Sequence, residues 1–166
     1  MSETLELILV NETTEHYRLC RKWFEDTNIT QWLTSILRFG KYFPIIHSKI
    51  IKDIKNKLFL LKEDDDFVGL IGLFNIDKVD RRAEIFYIVG SKSNRNRGIA
   101  QRAVEILKKI AFDEYNLITI YANVAEKNVP SLRVLEKTGF KYVGRYRNAF
   151  NWKGEYLDLL TFDFVF

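Results

Sequence analysis

The chain has 166 residues, of which 47% are hydrophobic and 29% charged, with a formal net charge of +4. That is one domain by size, 1–166, long enough for a real core and ordinary in composition for a globular protein. The single cysteine, Cys20, excludes an internal disulfide and suits a reducing, cytoplasmic setting.

The start, MSETLELILVNETTEHY, is acidic and does not read as a signal peptide. No apolar run reaches the ~20 residues that a membrane helix needs, so no membrane association is expected. Basic residues are spread along the chain and form no stripe, which argues against direct nucleic-acid binding. Residues 5–10 alternate weakly and predict a first strand. Residues 13–25 predict a helix capped by Thr13 or Thr14, with Tyr17, Cys20, Trp23 and Phe24 inward. Residues 28–45 predict a second helical or irregular apolar segment that ends at Pro44. A further helix is expected over 46–56. Strands are expected near 57–62, 67–76 and 82–89, and the run Asp64, Asp65, Asp66 reads as a solvated hairpin tip. A helix over 99–114 puts Gln101, Arg102, Glu105, Lys108 and Lys109 on one face and Ala100, Ala103, Val104, Leu107 and Ala111 opposite. A strand at 117–123, a helix at 129–138 and two closing strands near 140–150 and 155–165 complete a mixed α/β sheet.

The stretch AEIFYIVGSKSNRNRGIAQ, residues 83–101, carries the strongest chemical signal. An apolar strand feeds a polar loop, a glycine and then a helix. The first N–H groups of a helix have no internal partner, and the helix dipole favours an anion there. Gly98 lets the backbone approach a ligand that a Cβ would hold off. The spacing matches neither the nucleotide-triphosphate loop nor the dinucleotide pattern G-x-G-x-x-G, which argues against a dinucleotide oxidoreductase. A second block, NVPSLRVLEKTGF at 128–140, reads as a short helix with defined ends. Asn128 suits the N-cap, Pro130 the first turn, and Gly139 the left-handed residue that stops it.

Arg95, Asn96, Arg97, Gly98, Ile99 and Ala100 spell R-x-x-G-x-A, which resembles the pyrophosphate loop of the GNAT N-acetyltransferases. The 128–140 block is similar to the N-x-x-S/A…E-K-x-G-F segment of the same superfamily. Gly144, Arg145 and the later Gly154, Tyr156 and Asp158 resemble the tail of the branch holding ribosomal-protein alanine acetyltransferases and polyamine acetyltransferases. The resemblance is weak before residue 60 and strong after residue 80. It implies a GNAT-like mixed central sheet, flanked by helices, whose two central parallel strands splay apart. It implies acetyl-CoA as co-substrate, with the loop from Arg95 to Gln101 at the diphosphate. The pantetheine arm would pair with Tyr87, Ile88 and Val89 as an added strand, and Asn128 would meet that arm or cap its helix. Cytoplasmic enzymes, often homodimeric, are what the resemblance implies.

Acetyl transfer to an amine needs the amine neutral. Freeing a lysine-like or polyamine-like amine at pH 7 costs about 4.6 kcal/mol, and a protein N-terminal amine about 1.4 kcal/mol. Glu84 opens an otherwise apolar strand at a place where the GNAT pattern often has glutamate, and the resemblance implies it as the base, directly or through water, against the alternatives of a carboxylate paired with Arg81 or Arg82 or one that binds substrate without taking a proton. A strand N–H, that of Ile88, would polarise the thioester carbonyl. Many members of the superfamily carry tyrosine where this chain has Leu135; Ser131 matches a serine of the ribosomal-protein branch, and the resemblance implies it as proton donor to the leaving thiolate, directly or through water, against the alternative of a helix-start serine that satisfies backbone. Tyr156 is a further candidate, or packs on the sheet. His16 and His47 have no metal-ligand partners at useful spacing, and no metal is expected. Gly69 and Gly72 read as packing positions, and Trp23, Trp32 and Phe39 as core or as wall of the acceptor pocket. The acceptor is expected to be a protein N-terminus, with a polyamine or an aminosugar, free or nucleotide-linked, as alternatives. A non-catalytic module that binds CoA is the competing reading.

Overall fold

The alternating apolar runs become strands of one seven-stranded sheet, and the longer-period runs become helices on both of its faces. The computed structural model describes residues 4–33, 43–90 and 97–166. In chain order these form β1 (Leu5–Leu9), α1 (Thr14–Phe24), α2 (Thr27–Thr30), α3 (Phe43–Lys52), β2 (Lys57–Glu63), β3 (Asp66–Asp77) and β4 (Arg82–Val89). Then come α4 (Ile99–Asp113), β5 (Thr119–Ala125), α5 (Val129–Lys137), β6 (Lys141–Trp152) and β7 (Glu155–Val165). The strand order is β1-β2-β3-β4-β5-β7-β6. Only the β4–β5 neighbours run parallel; the other pairs are antiparallel.

Local chemistry accounts for most ends. Thr13 caps α1 by accepting from the His16 N–H. Gly139, at φ +82°, stops α5. Lys153 and Gly154, both at positive φ, turn β6 into β7. Three expectations shift. The helix expected over 46–56 runs from Phe43 to Lys52. Pro44 does not end the apolar segment; it lies in the first turn of α3, where its missing N–H costs no helical bond. Leu117 is not yet strand, because its N–H is taken by the Ala111 carbonyl at 3.0 Å, so β5 starts two residues late. Phe39 and the rest of 34–42 lie outside the described residues.

The two faces of the sheet carry separate cores. Ile85 and Ala83 of β4 join Ile99, Ala103, Val104 and Leu107 of α4 and Leu135 of α5 on one face. Ile88 of β4 joins Cys20, Trp23 and Phe24 of α1 on the other. Cys20 is fully buried, and burial pushes its thiol up to about 12, so it is a packing residue and a poor nucleophile. Tyr156 is 63% exposed and does not pack on the sheet as expected.

Gly69 keeps β3 close to β4. A Cβ there would stand 2.2 Å from the Ile88 carbonyl oxygen, and backbone cannot swing aside. Gly69→Ala should cost about 1–3 kcal/mol of stability, read from urea denaturation; an unchanged midpoint would contradict this packing.

His47 is buried and meets Tyr17 edge-on at 5.1 Å. Burial holds its imidazole below its ordinary range, with the Glu12 charge pulling weakly the other way. The unfolded chain therefore takes the proton first. The contribution to stability is full above about pH 6.5 and is lost as pH falls below it. Urea midpoints should fall more steeply on acidification for the natural chain than for His47→Gln; parallel curves would refute the buried neutral imidazole.

Candidate active site

The parallel ladder between β4 and β5 is short. It pairs Arg82 with Thr119, Ala83 with Ile120 and Glu84 with Tyr121, and then stops. Both strands continue: β4 stays paired with β3 as far as Val89, and β5 with β7 as far as Ala125. A gap therefore opens between their C-terminal ends, as the resemblance implied. The Gly90 N–H donates to the Val68 carbonyl at 2.7 Å, which fixes the alternation of bonded and non-bonded pairs along β3–β4. Phe86 and Ile88 then turn their backbone groups toward β3. Ile85, Tyr87 and Val89 turn theirs toward β5, in phase with the Arg81 carbonyl, which accepts from the Ile118 N–H at 2.8 Å. The expected Ile88 donor is therefore corrected: its N–H faces β3, and the gap is edged by Tyr87 and Val89.

Glu84 sits at the vertex. Its side chain shares a face with Phe86 and Ile88, on the α1 side of the sheet. Asn123 of β5 donates from Nδ2 to Glu84 Oε1 at 3.0 Å, and Thr161 of β7 donates from Oγ1 to Asn123 Oδ1 at 2.8 Å. The threonine hydroxyl thus fixes which way the amide points. Tyr121 stands opposite Glu84; burial, then the Glu84 charge, raise its phenol above the usual range. The alternative pairing of Glu84 does not occur: Arg81 donates to the Asn116 carbonyl at 2.7 Å, and Arg82 faces Asp80 at 3.9 Å. Sequence reasoning missed Asn123, Thr161 and Tyr121, which reach the site only through the pairing of β5 with β4 and β7.

Tyr87 spans the gap from β4 to α5. Its hydroxyl donates to the Ser131 carbonyl at 3.1 Å, and burial drives its ionisation far above the ordinary phenol range. The pair holds the first turn of α5 beside the gap, with the half-buried Ser131 next to it. Leu135, one turn on, is fully buried in the core. Asn128 occupies the N-cap position but makes no side-chain cap bond; its carbonyl takes the Leu132 N–H at 3.2 Å. Its half-buried amide is thus not committed to the helix end.

Gly98 precedes α4 at φ +74°, with open space around the position a Cβ would take. The first bond of the helix runs from the Arg102 N–H to the Gly98 carbonyl at 3.0 Å. The N–H groups of Ile99, Ala100 and Gln101 therefore have no helical acceptor. The Ile99 side chain is buried in the core, so only its backbone is available to a ligand. Arg97 does not simply reach into solvent: its guanidinium lies 3.1 Å from the buried Glu63 carboxylate. Arg95 and Asn96 lie outside the described residues. This open, donor-lined bend beside an unpaired strand edge fits a molecule with a diphosphate at one end and an amide-bearing arm. Among the described residues, no group of three or more His, Cys, Asp or Glu could hold a metal ion, and no helix is long and apolar enough to cross a membrane.

Known proteins share this fold. A family model described as an acetyltransferase (GNAT) domain matches residues 5–141. The spermidine N(1)-acetyltransferase of Escherichia coli K12 is 28% identical over 156 residues, covering 93% of this chain and 77% of that protein. A putative ribosomal N-acetyltransferase of Bacillus subtilis, YdaF, is 32% identical over 102 residues, 61% of this chain and 55% of that protein. The structure of a Vibrio cholerae spermidine N-acetyltransferase in complex with CoA and spermine superposes with a TM-score of 0.86, at 21% identity, over 97% of this chain and 95% of that one, a likeness of fold. With a family match over most of its length and the splayed sheet that the motif implied, the chain belongs to the GNAT family of acetyl-CoA-dependent N-acetyltransferases.

Proposed function

We propose that Glu84 is the general base of an acetyl transfer to the amine of a protein N-terminus, carried out in the gap between β4 and β5. The observation that carries this reading is the end of parallel pairing at Glu84 and Tyr121, which sets a carboxylate at the closed end of an open cleft. Acetyl-CoA, when bound, supplies a thioester whose carbonyl carbon an amine can attack. The N–H groups of Ile99, Ala100 and Gln101, with the Gly98 bend, bind the diphosphate. The gap-facing backbone of Tyr87 and Val89 binds the arm, assisted by the Asn128 amide. Glu84 takes the proton from the amine, directly or through one water. The Asn123–Thr161 pair keeps its Oε1 occupied and its carboxylate oriented. As the carbon–sulfur bond breaks, Ser131, on the α5 turn held by Tyr87, gives its hydroxyl proton to the departing sulfur and regains one from solvent.

The choice of acceptor follows from charge. Residues 25–45, the stretch that usually shapes the acceptor site in this superfamily, read EDTNITQWLTSILRFGKYFPI. Their two carboxylates stand together at the start and are already engaged, Glu25 with Arg21 at 2.7 Å and Asp26 as the cap of α2, and Arg38 and Lys41 follow. A polycation needs carboxylates along its length, whereas a lone N-terminal amine needs one base. The lower cost of deprotonating such an amine, about 1.4 against 4.6 kcal/mol at pH 7, points the same way. The single buried thiol suits a reducing compartment, and we assign the enzyme to the cytoplasm.

Glu84→Gln should lower kcat at neutral pH by about 100-fold and leave the KM for acetyl-CoA within about 2-fold; an unaltered rate and pH profile would remove Glu84 from the mechanism. Thiol release with a peptide series, spermidine and aminosugars tests the acceptor. Peptides should be the substrates, and turnover confined to spermidine would overturn the charge argument.

A further inference from the structure

Glu63 is the one carboxylate fully buried among the described residues, at 5% exposure. It closes β2, and its oxygens are divided between two guanidiniums. Oε1 accepts from Arg102 Nη2, and Oε2 lies 3.1 Å from Arg97 Nη2. A charge withdrawn from water is costly unless it is paired and hydrogen-bonded, so this cluster is not incidental. Its two cations come from either side of Gly98. Arg97 immediately precedes the glycine, and Arg102 donates the N–H that closes the first helical bond onto it. One carboxylate thus ties both limbs of the bend to the end of the sheet.

We infer that Glu63 is a positioning residue for the diphosphate of the co-substrate. It holds Arg97, Gly98 and the first turn of α4 in the shape that presents the N–H groups of Ile99, Ala100 and Gln101 together. It also relieves the repulsion of two neighbouring guanidiniums. Arg97 then serves chiefly as the strut between bend and sheet. This inference rests on the reading that the Gly98 bend grips the diphosphate.

Two thioesters separate the possibilities: acetyl-CoA, and S-acetylpantetheine, which lacks diphosphate and nucleotide. Glu63→Gln should raise the KM for acetyl-CoA about 10-fold, keep kcat within about 2-fold, and leave kcat/KM for S-acetylpantetheine unchanged. Arg97→Ala should do the same. Because the two residues act through one contact, the double variant should be little worse than either single one. If Glu63→Gln fails to fold, Arg97→Ala and Arg102→Gln carry the test, each breaking one arm of the clamp with the same selective loss expected. An unchanged KM for acetyl-CoA, an equal loss with both thioesters, or fully additive effects of Glu63→Gln and Arg97→Ala would overturn the inference while the natural enzyme still prefers acetyl-CoA. Equal KM values for both thioesters in the natural enzyme would instead sink the diphosphate reading itself.

Discussion

The structure depends on where two strands stop pairing. Up to Glu84 and Tyr121, β4 and β5 are ordinary parallel neighbours; beyond that point each is held only by its outer partner. Unpaired backbone N–H and C=O groups away from water are costly, and an unpaired edge is a template for another extended chain. The protein keeps this edge inside its own sheet, at the head of a cleft. It holds the edge open by packing on both faces and by the Tyr87 hydroxyl, which bonds α5 across the opening.

The same break organises the chemistry. At its vertex the sheet contributes Glu84, with an amide and a hydroxyl from the next two strands in line behind it. At its mouth, α4 contributes three N–H groups without helical acceptors, and α5 contributes its N-cap residue. The proposed binding groups are therefore mostly backbone, which tolerates plain apolar side chains such as Val89. The proposed proton handling falls to a few side chains. The clamp of Glu63 on Arg97 and Arg102 fits this division, because a site made of backbone groups is only as good as the conformation of the backbone.

The sequence carried the local parts of this picture. Glycine at 98, the N-cap and glycine stop of α5 and the alternating strands are all set by neighbours in the chain, and each stands where it was expected. Among the boundaries that shift, two do so because the competing influence comes from the surroundings. Pro44 reads as a stop but lies where a helix needs no N–H. Leu117 continues an apolar run, yet its N–H belongs to the end of α4. The partners of Glu84 and Glu63 were illegible for a different reason. Asn123 lies 39 positions from Glu84, as Arg102 does from Glu63, and only strand order brings them together. Glu63 was hidden further by the run of aspartates after it, which reads as a solvated tip; one residue earlier, the chain is still inside the sheet.

The central claim is that the inner edge of β4 is completed by the arm of CoA. Amide hydrogen exchange followed by NMR, with and without CoA, tests it residue by residue. Exchange at Tyr87 and Val89 should slow on addition of CoA, while Ile88, whose N–H faces β3, changes little. Unaltered exchange at Tyr87 and Val89 in the CoA-saturated protein would contradict the account.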